Sequence, residues 1–157
     1  MTTHGMKVYG TTAYGTSEQN IKVVLLIGRI IAGLFYIFAG ANNFVNLASA
    51  SDYAAFKGVP SPTLAVLMAS SLLMIGGLSI LTGYRPVLGV AAIILFLLPV
   101  TLIMHNFWNI EEAQAQVVEL RSFLSNMGLL GSTLIFLAVP RPWLGSIDEA
   151  LEQEEAR

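Results

Sequence analysis

"PVLGVAAIILFLLPVTLIMHNFW", residues 86–108, runs for 23 positions without a lysine, arginine, aspartate or glutamate. Its reading decides the fold. An apolar run of about 18 residues or more marks a helix solvated by lipid. At about 1.5 Å of rise per residue it spans a hydrocarbon core about 30 Å thick. Outward from it lie three further runs: "VVLLIGRIIAGLFYIFAGANNFV" (23–45), "LAVLMASSLLMIGGLSILT" (64–82) and "SFLSNMGLLGSTLIFLAV" (122–139). The 157 residues are 55% hydrophobic and 11% charged, against about 25% charged in ordinary soluble domains. The chain reads as an all-α polytopic membrane protein, an up-down four-transmembrane-helix bundle.

The division follows: a polar tail over 1–21, a four-helix domain over 22–140 and an acidic tail over 141–157. Lysine and arginine favour the cytoplasmic flank. Lys7, Lys22, Arg85, Arg141 and Arg157 fall on one side, Lys57 and Arg121 on the other. Both termini are therefore expected inside, in the inner (cell) membrane, with His105 facing out. "GYRP" (83–86) predicts a tight hairpin in which Gly83 ends one helix and Pro86 opens the next. The loops 46–62 and 109–121 are longer, and the second, free of glycine and proline, predicts a short surface helix carrying Glu111, Glu112 and Glu119. In the tail, Ser146 and Glu149 form a capping box that starts a short acidic helix. The apolar run at 23–45 is too long for a cleaved signal core, so "ASA" at 48–50 is read as part of a retained segment. Tyr84 and Trp143 are expected as aromatic anchors at the inner boundary, Phe107 and Trp108 at the outer.

With no cysteine, disulfides, thiol redox and iron–sulfur ligation are excluded. His4 and His105 are the only histidines, too few in the membrane region for a bis-histidine haem or a metal centre. A net charge of −2 offers no basic patch, so no nucleic acid is expected. No aspartate or glutamate lies in the four runs, which argues against an ion pump.

Lipid gives helices no hydrophobic reason to associate, so contact depends on small residues and polar bridges. All four runs carry glycine, alanine or serine, and each is expected to pack inside. Arg29, Gly33, Tyr36, Gly40 and Asn43 form one stripe along the first helix. The stripe is either a packing face or the lining of a pocket for a flat, carbonyl-bearing molecule such as a quinone. Arg29 has its own two readings: a contact with headgroups or a tail carboxylate, or a buried site. Pro99 inside the third run predicts a kink. At the opposite end Asn42, Asn43, Asn46, His105, Asn106 and Asn126 share one depth. There His105 either bridges helix ends or serves a ligand or proton.

The motifs "RIIAGLFYIFAGANNF" (29–44), "GVPSP" (58–62), "LLMIGGLSILTGYRP" (72–86), "HNFW" (105–108) and "FLSNMGLLGSTLIF" (123–136) stand in the order and spacing of the DoxX family, and over residues 24–140 the chain resembles it. The resemblance implies a four-helix subunit related to a membrane subunit of thiosulfate:quinone oxidoreductase. Arg29, Gly40, Gly76, Gly77, His105 and Asn126 match the family pattern. Asn43 stands where many members have lysine, and Leu72 and Leu73 where many have an acid, which implies a polar but uncharged site. The expectation is an accessory or anchoring subunit of a quinone-linked membrane redox system, not catalytic alone. Arg29, Tyr36, Asn43, His105 and Asn126 are its cofactor-binding candidates and a quinone its one candidate cofactor. Partners would be the lipid bilayer and a redox subunit or a second copy. The rival reading is a non-catalytic assembly protein recruiting a partner through its acidic tail, and a third is a small transporter.

Overall fold

The computed structural model describes residues 18–157, so the expectations for residues 1–17, including His4 and Lys7 in a polar tail, lie outside the described residues. Among the described residues the structure is helical and without strands: α1 Glu18–Val45, α2 Leu47–Phe56, α3 Pro62–Thr82, α4 Pro86–Met104, α5 Ala113–Ala138 and α6 Ile147–Glu155. Helices α1, α3, α4 and α5 are each long and apolar enough to cross a membrane. With α2 and α6 the described chain has six helices, so the expectation of four holds only for those of crossing length.

Local chemistry sets the boundaries. Pro62 and Pro86 open α3 and α4 at positions where a missing N–H leaves no helical bond unmade. Gly83 closes α3 with φ of 66°, a left-handed backbone that glycine adopts without a Cβ clash. The carboxylate of Glu112 accepts from the backbone N–H groups of Gln114 (2.9 Å) and Ala115. This capping starts α5 nine residues before the expected 122, because no glycine or proline interrupts the segment. The expected separate surface helix is therefore the first turns of α5. Loop 46–62 holds a true helix, α2, which packs on α3 and buries Ser51 and Ala54. α4 ends at Met104 and a 3-10 turn over 107–109 follows, short of the expected helix end at 108.

α1 packs on α3, α3 on α4, and α4 on α5. Close approaches show neighbours running in opposite directions. A Cβ on Gly33 would lie 2.7 Å from Leu81 Cβ, and one on Gly40 would lie 2.8 Å from the Ser70 carbonyl oxygen. Gly33 and Gly77 interlock, each positioned so that a methyl group would strike the other's carbonyl oxygen at 2.9 and 2.8 Å. Tyr36, Leu73, Ile80, Val90, Ile93 and Leu97 form the buried core. α5 is the exception to the expectation that every span packs inside. Nothing lies within 4 Å of a Cβ placed on Gly128 or Gly131, so the small residues there face outward.

The two tails of the bundle differ. At the Gly83 end, Trp143 is 2% exposed and stacks obliquely on Phe136 with ring centroids 5.7 Å apart. This corrects its reading as a boundary anchor: the tail folds back and buries it in protein. Tyr84 stays exposed beside the Arg85 guanidinium, 5.4 Å from its ring. At the His105 end, Phe107, Trp108 and Phe123 meet edge to face with centroids 5.1–5.9 Å apart, a preferred aromatic geometry.

Candidate functional site

Seven-residue spacing places side chains on one helix face, two turns apart. On α1 this aligns Tyr36 with Asn43; on α5 it aligns Glu119, Asn126 and Thr133. Glu119 turns to α2 and His105, while Tyr36 and Asn43 of the first row and Asn126 and Thr133 of the second meet across a seam. Tyr36 and Thr133 close its lower part: their hydroxyls lie 2.6 Å apart, and both residues are buried. Above them opens a cavity of about 400 Å³, lined by Tyr36, Asn43, His105 and Asn126 with Phe35, Phe38 and Phe96 among its apolar walls. A second cavity of about 490 Å³, between α2, α3 and α4, includes Asn43, Tyr53 and Pro99 in an otherwise apolar lining.

Four of the five candidate residues thus come together. Arg29 does not join them. It lies seven residues before Tyr36, about 10 Å further down α1, and is 2% exposed. Its Nη2 donates to the Gly145 carbonyl at 2.8 Å, and the Glu149 carboxylate lies within its electrostatic reach. Nε and Nη1 are buried without a partner among the described residues. Arg29 is therefore both buried and in contact with the tail, and the tail residue it bonds is a carbonyl. Around it the tail is docked: Asp148 accepts from the Arg85 backbone N–H at 3.1 and 3.3 Å, and Ser146 caps α6 by accepting from the Glu149 N–H at 3.0 Å. Glu149 completes the expected capping box one residue early, accepting from the Gly145 N–H at 2.6 Å.

At the top of the cavity His105 caps the end of α4. Its Nδ1 lies 2.7 Å from Glu119 Oε2. The other oxygen, Oε1, accepts from Lys57 Nζ at 2.5 Å and from the Tyr53 hydroxyl at 3.1 Å. The Glu119 side chain is 13% exposed. This corrects two expectations at once: Glu119 is no exposed surface residue, and an acid does lie within a helix of crossing length. The cavity lining itself holds no lysine, arginine, aspartate or glutamate; the charged pair lies behind His105. A lysine–carboxylate pair is present, supplied by the α2 loop and the extended start of α5. Burial pushes the Tyr53 phenol above its usual range, with the Glu119 charge adding to the rise and the Lys57 charge opposing it. For Lys57 burial works against the ammonium, but the Glu119 hydrogen bond and the surrounding negative character outweigh it, and its pKa is raised. Nothing in the spacing of residues 53, 57, 105 and 119 announces this cluster; the row Glu119, Asn126, Thr133 was the readable signal.

No group of three or more histidine, cysteine, aspartate or glutamate side chains that could hold a metal occurs among the described residues. What the arrangement offers is hydrogen bonding: a hydroxyl, the three amides of Asn42, Asn43 and Asn126, and an imidazole around a space walled by phenylalanines, next to a paired charge.

Four crossing-length helices with this polar seam define a small integral membrane protein in contact with the lipid bilayer. The chain belongs to the DoxX family, whose model matches residues 24–106. It is similar to the inner membrane protein YphA of Escherichia coli (strain K12), at 28% identity over 128 residues, which cover 80% of this chain and 89% of that protein. No solved structure matches it.

Proposed function

We propose that this chain is an anchoring or accessory subunit of a quinone-linked redox system in the inner membrane, holding a quinone-type ring in the 400 Å³ cavity. The observation that carries the reading is the convergence of Tyr36, Asn43, His105 and Asn126 on one cleft among lipid-facing helices. Ligand sites pair mostly apolar walls with a few placed polar groups, and a ring with two oxygens at opposite ends suits that pattern. With no cysteine in the chain, electrons reach or leave such a ring through a redox partner. In this reading the four long helices form an up-down bundle across the bilayer with both termini cytoplasmic, so the His105 end faces out.

Purification from the native membrane in a mild detergent tests the pocket. Extracted quinone, or a rise in unfolding temperature with decylubiquinone, is the expected result; absence of both removes the pocket from the proposal. Reporters fused at either end test the orientation, and signals from opposite faces would overturn it.

A second reading, recruitment of a soluble partner by α6, is supported by Ile147 and Leu151. They lie one turn apart on an otherwise acidic helix, and both remain exposed. Replacing both by serine is expected to strip such a partner from the purified chain, and unchanged association counts against it.

A further inference from the structure

A carboxylate can only accept hydrogen bonds. The ammonium of Lys57, 2.5 Å from Glu119 Oε1, holds that side chain as a carboxylate. The hydrogen in the 2.7 Å contact between His105 and Glu119 therefore belongs to Nδ1. A neutral imidazole carries one ring hydrogen, and with it on Nδ1 the other nitrogen, Nε2, is a bare lone pair. His105 also lines the cavity. With Nδ1 committed to Glu119, Nε2 is the ring nitrogen left for a ligand.

We propose that the cavity selects a ligand that donates an O–H, a hydroquinone or other phenol, over its carbonyl-only oxidised form. The inference rests on the quinone-site reading above and names which redox form the site takes. The other polar groups in the lining do not make the choice. A tyrosine hydroxyl and an asparagine amide each both donate and accept, so Tyr36, Asn42, Asn43 and Asn126 serve either form. His105 with its tautomer fixed serves one. A carbonyl oxygen facing the Nε2 lone pair leaves two acceptors opposed and unsatisfied, whereas a phenolic O–H donates to it directly.

Glu119 is then a positioning residue, and its amide variant reverses the preference. In Glu119→Gln, Lys57 can only donate, so the amide oxygen stays on the Lys57 side and the NH2 group turns to His105. Nδ1 becomes the acceptor, the ring hydrogen moves to Nε2, and the cavity gains a donor suited to a carbonyl.

The test measures binding of decylubiquinol and decylubiquinone to the full chain in lipid nanodiscs at about pH 8, with the neutral state of the ring read from its 15N shifts. The wild type is expected to bind the quinol at least about tenfold more tightly, the scale of one unsatisfied polar pair. Glu119→Gln is expected to push that ratio below one. Histidine 15N spectra in a His4→Gln background check the tautomer without a ligand, with Nδ1–H in the wild type and Nε2–H in the variant. Equal binding, tighter quinone binding, a ratio unchanged by Glu119→Gln, or an Nε2–H tautomer in the wild type each overturns the proposal while the cavity reading stands. Binding of neither form overturns both. Should Glu119→Gln fail to fold, the wild-type ratio and spectrum decide alone.

Discussion

Tyr36 on α1 and Thr133 on α5 share a hydrogen bond of 2.6 Å with both residues buried, joining two helices that have few close backbone approaches. Between helices in lipid such a bond contributes about 0.6 kcal/mol on average and up to about 1.7 kcal/mol. The buried geometry places this one toward the upper part of that range. A double-mutant cycle of Tyr36→Phe and Thr133→Val, followed by unfolding in mixed micelles, is expected to return a coupling of about 1–1.7 kcal/mol. Additive single effects would show that the seam is held elsewhere.

Gly33 and Gly77 set the distance between α1 and α3. A methyl group on Gly77 would sit 2.8 Å from the Gly33 carbonyl oxygen and 2.8 Å from the Ile37 backbone nitrogen. Backbone atoms cannot rotate aside as a side chain does, so Gly77→Ala forces the helices apart, at a cost of about 1–3 kcal/mol. Gly128→Ala, with open space around its Cβ, is expected to change stability by no more than about 0.5 kcal/mol. Similar losses at both positions would contradict the packing described.

The four long helices were legible because a bilayer imposes a length and a polarity that composition alone displays. So was the polar stripe from Arg29 to Asn43, since helical periodicity places those residues together whatever packs against them. α2 was not: "LASASDYAAF" has no long apolar run, and its helix is held by packing on α3. The start of α5 is hidden in the sequence because polarity changes near Ser122, although nothing in residues 113–121 breaks a helix. The burial of Glu119 is hidden with it. Its partners lie 14, 62 and 66 positions away, and only tertiary structure brings such groups together. Arg29 shows the reverse case: burial and a tail contact stand as alternatives in the sequence, and the position of Gly145 lets both hold.

Arg29 pins the C-terminal tail. A hydrogen bond from a charged group contributes about 1.5–3 kcal/mol, and its loss acts first on the least stable segment it holds. Arg29→Met is therefore expected to raise hydrogen exchange in α6 about tenfold or more and to open residues 141–157 to protease. The amides of α3 and α4 should stay protected. Unchanged protection of α6 would mean that Trp143 and the Asp148 contact with Arg85 hold the tail without it.

Lys57 gives the His105 end a pH dependence of definite sign. Its pKa is raised: burial opposes the ammonium, but the hydrogen bond to Glu119 and the negative character of Tyr53 and Glu119 outweigh it. A group raised on folding contributes its full stability below its unfolded value and loses it as pH climbs through the higher folded value. For an ordinary lysine that loss begins near pH 10.4. The raised Tyr53 phenol acts in the same direction, from about pH 10. Wild-type unfolding temperature is thus expected to fall in alkali above about pH 10. Lys57→Met removes the counter-charge of a Glu119 that is only 13% exposed, so the variant is expected to be less stable at neutral pH. Because the Lys57 charge also bears on the Tyr53 phenol, the comparison is made with Tyr53→Phe in both proteins, so that their difference isolates Lys57. It should narrow as pH rises past about 10.5, where the wild-type ammonium begins to lose its proton as well. A difference that stays constant from pH 7 to pH 11.5 would show that Lys57 contributes by packing its stem and not by its charge on Glu119.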